Sequence, residues 1–117
     1  MPGNFLKHTM ANIGVDLVHV PEFQKRLERG GGVEKVFTDA ELAQNPRLES
    51  LAGIFAAKEA FMKTIGKKID WHDVWVEKQD DGQPMLISPL LTSEEKTSVS
   101  ISHDGDYAIA AVIVEKT

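Results

Sequence analysis

The chain has 117 residues, a formal charge of −5 at neutral pH, 42% hydrophobic residues and no cysteine. That is material for one domain with one packed core, and a core this small gains from oligomerisation. Disulfides, thiolate metal sites and cysteine nucleophiles are excluded, the acidic balance gives no overall field for nucleic acid, and no run reaches the roughly 18 apolar residues of a membrane span.

Residues 1–11 read as a loose leader and 12–117 as the single domain; Met10 is an alternative natural start. Met1–Asn12 holds no apolar signal-peptide stretch, so a cytoplasmic protein with no membrane and no nucleic-acid partner is expected. Residues 12–20, NIGVDLVHV, carry the β-branched pattern of a strand. Pro21 suits the first turn of a short helix through Arg29, which Gly30, Gly31 and Gly32 stop. That helix bears Lys25, Arg26 and Arg29, the best local basic patch for an acidic partner. Thr38 with Glu41 three residues on spells a capping box, and Asn45-Pro46 ends that helix.

The strongest helical signal runs from about Arg47 to Ile65, with Gly66 as its C-cap. Leu51, Ile54, Phe55, Phe61, Met62 and Ile65 form the apolar arc. Ala52, Ala56, Glu59, Lys63 and Gly66 share another face, where small neighbours let a large ligand or another backbone come close. The rest is β-rich. Val74–Lys78 and Met85–Ile87 flank the hairpin signal Asp81-Gly82. Val99–His103 turns through Asp104-Gly105-Asp106 into Tyr107–Val114, which is apolar on both faces and is expected to be central and buried. The fold class is α+β: an antiparallel sheet packed on one long helix and smaller ones.

Several residues admit a chemical and a plain reading. Asp16 lies inside an apolar strand, where a carboxylate costs free energy unless paired or metal-bound; otherwise it faces water at a sheet edge. Glu59 and Lys63 are either functional or a surface i,i+4 pair worth roughly 0.2–0.5 kcal/mol. Lys58 falls in the apolar arc, as a snorkelling side chain or a phosphate contact. His103 ends a strand before a tight turn and either packs there or donates to a phosphate. His72, between Asp70, Trp71 and Asp73, reads as part of a loop leading into a strand. No nucleophile elbow, P-loop, dinucleotide fingerprint or zinc motif is present.

Read in order, Ile13-Gly14-Val15-Asp16-Leu17-Val18, Phe37-Thr38-x-x-Glu41 and Leu51-Ala52-Gly53-Ile54-Phe55-Ala56-Ala57-Lys58-Glu59-Ala60-Phe61-Met62-Lys63 form a set. Trp71-His72-Asp73-Val74, Gly82-Gln83-Pro84, Ser100-Ile101-Ser102-His103 and Tyr107-Ala108 continue it. The set resembles the holo-acyl-carrier-protein synthase group of phosphopantetheinyl transferases over about residues 12–115. The resemblance implies transfer of the phosphopantetheine arm of coenzyme A to a serine of acyl carrier protein, with Mg²⁺ as cofactor. It also implies a homotrimer with active sites at subunit interfaces. On this footing Asp16 and Glu59 are metal ligands, Lys63 contacts the pyrophosphate, His103 lies near the nucleotide phosphates, and Pro84 falls in the segment lining the adenine pocket; Lys58, in its reading as a phosphate contact, joins the coenzyme A set. The serine proton goes to Glu59, directly or through a water, or Glu59 is a metal ligand only. Lys25, Arg26 and Arg29 are the expected docking surface for the carrier protein.

The chain departs from the family pattern at four places. Ile54 stands where an arginine usually holds a nucleotide phosphate, which weakens coenzyme A binding unless Lys58, Lys67 or Lys68 substitutes. The glycine-rich loop after the long helix is shortened to Gly66-Lys67-Lys68-Ile69, Glu22 replaces one docking arginine, and His19 replaces an acidic residue. Two other readings therefore stand beside the transferase: a degenerate member that binds coenzyme A without catalysis, and a trimeric interaction scaffold.

Overall fold

The structure is a computed structural model that describes residues 10–116. Strand β1 (Met10–His19) leads directly into helix α1 (Val20–Arg29), a one-turn helix α2 (Asp39–Leu42) and the long helix α3 (Leu48–Ile65). Strands β2 (Trp75–Lys78), β3 (Pro84–Ile87), β4 (Glu95–Asp104) and β5 (Tyr107–Lys116) follow. β1, β5 and β4 form an antiparallel sheet in that order, and β2 pairs with β3 as a separate antiparallel hairpin. The α+β reading holds, with its antiparallel pairing divided between two sheets.

Local chemistry explains most boundaries. Pro21 sits in the first turn of α1, where its missing N–H costs nothing. Thr38 Oγ1 accepts from the Glu41 amide at 3.2 Å, and Glu41 Oε1 accepts from the Thr38 amide at 2.9 Å, completing the capping box. Gly66 ends α3 in the left-handed region at φ 71°, its amide donating to the Met62 carbonyl. β1 starts earlier than the pattern suggests: Met10 and Ala11 pair with Lys116 and Glu115. Residues 1–9 of the expected leader, and the last residue of the domain, lie outside the described residues.

α3 lies across β1 and β5. The helix-facing residues of β5 are Ala108, Ala110, Val112 and Val114, all buried, and α3 answers with Ala52, Ala56, Ala57 and Ala60, all fully buried. Small side chains on both surfaces bring helix and sheet close together. Closest of all is Gly14: a Cβ there would fall on the carbonyl oxygen of Ala60. The small face of α3 thus receives backbone and core, with Ala52 and Ala56 clustered against Val18, Ala108 and Ala110.

Expected burial of β5 on both faces is corrected. It is central, but among the described residues only its helix-facing side is fully covered. Opposite α3 the sheet presents Ile13, Leu17 and Val15 of β1, exposed by 72%, 61% and 51%, next to Tyr107 and Ile109 of β5. Ile13 pairs with Ile113, Val15 with Ala111 and Leu17 with Ile109, so the patch is continuous. Such a patch marks an interaction surface.

Gly14→Ala is expected to destabilise the protein by about 3 kcal/mol or more, because the new methyl meets backbone that cannot rotate away. Urea denaturation measures it; a loss below about 1 kcal/mol would show that β1 can lift from α3 freely.

Candidate active site

Asp16 follows Gly14 by two residues, so it points to the same, helix-facing side of β1. Because Gly14 seats the strand on the helix, Asp16 comes down beside the last turns of α3. Lys63 Nζ donates to Asp16 Oδ1 at 3.2 Å and to the Val15 carbonyl at 2.9 Å. Glu59, one turn earlier, lines the same cleft as Asp16, a space of about 300 Å³ closed on its other side by α1. Arg26 reaches that cleft from α1, its guanidinium 5.5 Å from the centre of the Phe55 ring. His19 and Glu22 stand at its edge, Nδ1 and Oε1 3.8 Å apart. The cleft therefore gathers the carboxylates of Asp16, Glu22 and Glu59 and the guanidinium of Arg26 around open space, with the Lys63 ammonium bonded to Asp16 beside it.

A second cleft of about 230 Å³ opens at the other edge of the sheet, beside β4. Ile54, Pro84 and His103 line it, together with Lys78, Gln44 and Ser50. Gly53 lets β4 approach α3 here, since a Cβ at that position would lie 2.6 Å from Ile101 Cγ2 and 3.0 Å from His103 Nε2. His103 Nε2 donates to the Glu49 carbonyl at 2.8 Å. Its remaining ring nitrogen can therefore donate to an anion only when the ring is protonated.

The structure thus sorts the residues singled out from the sequence into two groups. Asp16, Glu59 and Lys63 meet at the β1 edge; Pro84 and His103 meet at the β4 edge. Lys58 belongs to neither, which corrects its reading as a phosphate contact. It is fully buried. Its ammonium is bonded to Glu41 Oε1 at 2.6 Å, the Val36 carbonyl at 2.8 Å and the Trp71 carbonyl at 3.1 Å, so its three donors are spent. Burial holds its pKa below the usual lysine range, against the opposing pull of the Glu41 carboxylate. Glu41, legible from sequence only as a cap, also accepts from the Val76 amide at 2.8 Å. Lys67 and Lys68 flank Glu59 and Lys63 at the end of α3, away from Ile54. His72 lies in a short turn and bonds the Glu34 carbonyl, as the loop reading expects. Lys25, Arg26 and Arg29 are exposed on α1. Sequence reasoning missed Lys78, Gln44 and Ser50; they come from separate elements and share no motif.

A family model described as the 4'-phosphopantetheinyl transferase superfamily matches residues 12–112. The chain belongs to that superfamily. The holo-[acyl-carrier-protein] synthase of Anoxybacillus flavithermus is 36% identical over 118 residues, spanning 92% of this chain and 97% of the relative. That of Halalkalibacterium halodurans is 40% identical over 114 residues, spanning 88% and 93%. Among solved structures, the holo-(acyl-carrier-protein) synthase of Bacillus anthracis in complex with CoA (3',5'-ADP) superposes with a TM-score of 0.80 at 30% identity, covering 94% of this chain and 100% of that one. The ACPS–CoA complex of Chronobacterium ammoniagenes gives 0.78 at 33% identity, covering 92% and 98%.

The donor set suits the cation expected for this superfamily. Among the described residues no three His, Asp or Glu side chains converge to hold a metal unaided. Two carboxylates facing one cleft are what Mg²⁺ uses when phosphate oxygens and waters complete its shell. Thioether, imidazole and thiolate ligands play no part in that chemistry. No helix among the described residues is long and apolar enough to cross a membrane.

Lys58→Met is expected to cost about 3–5 kcal/mol, since it strands the buried Glu41 carboxylate. Urea denaturation checks this; an unchanged midpoint would show that Glu41 is satisfied by the Thr38 and Val76 amides alone.

Proposed function

We propose that this chain transfers the 4'-phosphopantetheine arm of coenzyme A to a serine of apo-acyl carrier protein and releases 3',5'-ADP. The observation that carries the reading is the cleft lined by Asp16 and Glu59, with Lys63 bonded to Asp16 beside it, in a chain whose relatives are named holo-[acyl-carrier-protein] synthase. The serine Oγ attacks the β-phosphorus of coenzyme A. The bond from that phosphorus to the bridging oxygen breaks, and the electron pair leaves with 3',5'-ADP. Such a transfer depends on positioning and charge neutralisation more than on covalent help. Lys63, already at the mouth of the cleft, stabilises charge on the departing phosphate. Glu59 accepts the serine proton on a carboxylate oxygen, directly or through a water. Asp16 and Glu59 would hold Mg²⁺, which supplies neutralisation of the pyrophosphate. Arg26, on the cleft wall, with Lys25 and Arg29 beside it, offers cations to an acidic carrier protein.

The working unit is a homotrimer. Two features support it. The outer face of the sheet is a continuous apolar patch that one chain leaves bare. The two clefts sit at opposite edges of that sheet. In a three-fold ring each interface joins one surface to a different surface of the next copy. The Asp16 cleft of one protomer then faces the His103 cleft of its neighbour, and one coenzyme A spans both. The protein works as a soluble cytoplasmic enzyme.

The deciding assay is the intact mass of apo-acyl carrier protein after incubation with this protein, coenzyme A and Mg²⁺, with an EDTA control. A magnesium-dependent gain of one phosphopantetheine arm is expected; no gain across several carrier proteins would overturn the reading. Asp16→Ala is expected to lower turnover at least a hundredfold and to abolish Mg²⁺-dependent coenzyme A binding in calorimetry, while the assembly persists. Leu17→Asp, on the outer face, is expected to give monomers in analytical ultracentrifugation and to lose activity. An active monomer would remove the shared site.

A further inference from the structure

Resting on the transferase reading, we infer that Lys78 recognises the 3'-phosphate of coenzyme A and makes the enzyme select coenzyme A over 3'-dephospho-coenzyme A. The cleft beside β4 has apolar walls, formed by Ile54, Val76, Ile101 and Pro84. A flat heterocyclic base is held well by such walls. The phosphate attached to its sugar is a near-dianion at neutral pH and needs a cation.

Among the described residues of one protomer, the other candidate cations are bonded or placed elsewhere. Lys58 is buried with all three donors used. Lys67 and Lys68 border the Glu59–Lys63 groove. Arg47 is paired with Glu49 at 3.2 Å. His103 already donates one ring N–H to the Glu49 carbonyl. Ile54, on the cleft wall, carries no charge. Among the described residues Lys78 is the one permanent cation lining this cleft. It ends β2 directly opposite Pro84 in the hairpin register, which carries its side chain to the cleft rim. Its neighbour Glu77 accepts from the Trp75 indole at 3.2 Å, and no carboxylate among the described residues lies within ion-pair distance of Lys78. An exposed, unpaired ammonium on a flexible stem is a point-charge ligand for a phosphate.

The test is calorimetric binding of coenzyme A and of 3'-dephospho-coenzyme A, in the presence of Mg²⁺, to wild type, Lys78→Ala and Lys78→Arg. Wild type is expected to bind coenzyme A about tenfold or more tightly than the dephospho form, the worth of a charge-assisted contact. Lys78→Ala is expected to bring that ratio near one by weakening coenzyme A alone, and to raise KM for coenzyme A with kcat kept. Lys78→Arg is expected to restore the preference. An unchanged ratio in Lys78→Ala, or equal weakening of both ligands, overturns the assignment while leaving the transferase intact. Failure of wild type to bind either ligand overturns the transferase reading, and this assignment with it.

Discussion

The close seating of β1 on α3 governs the rest of the molecule. It is possible because Gly14 offers no side chain at the point where the Ala60 carbonyl approaches. Alternation along the strand does the remainder. With Gly14 facing the helix, Asp16 must face it as well, and the rise of two residues brings that carboxylate level with Lys63. A slip of one residue would send Asp16 to the outer face and Val15 into the helix. The same contact that stabilises the core thus sets the spacing of the site. Alanines on α3 and β5 extend the close packing along the whole interface, where larger side chains would hold helix and sheet apart.

A second constraint lies behind the first. The Glu41–Lys58 pair joins α2, α3, the turn at Trp71 and strand β2 through one carboxylate and one ammonium. Removing two charges from water is costly, and this pair is tolerated because nearly every donor and acceptor is used. Its position next to Glu59 in sequence is what made Lys58 resemble a site residue. One helical step of 100° separates a buried structural lysine from a glutamate that faces the cleft. Burial decides which of two adjacent charged residues is left open to a cleft, and burial is a property of the packed molecule.

The division of site residues between the two sheet edges gives the bare outer face its meaning. One chain has a cleft of carboxylates and cations on one side and an apolar-walled cleft on the other. An apolar patch of Ile13, Leu17 and Ile109 lies on the sheet surface between those edges. Association through that surface would stabilise a small core and complete a site at once.

Much of this was legible in the chain itself. The capping box at Thr38 and Glu41, the α3 span with its Gly66 stop, the Asp81-Gly82 hairpin and the central place of β5 all rest on local chemistry or on a period of 2 or 3.6 residues. The motif order around Gly14, Asp16, Glu59 and Lys63 was enough to point to the family. Tertiary structure decided what depends on residues far apart in sequence. It withdrew Lys58 from the site, because Glu41 comes to it from seventeen positions away. It uncovered one face of β5, because a single helix can cover only one side of a three-stranded sheet. It brought Lys78 to Pro84 and His103, from a position on the hairpin that no motif marks. Local pattern determines which way a side chain points along its own element; only packing between elements determines what it meets there.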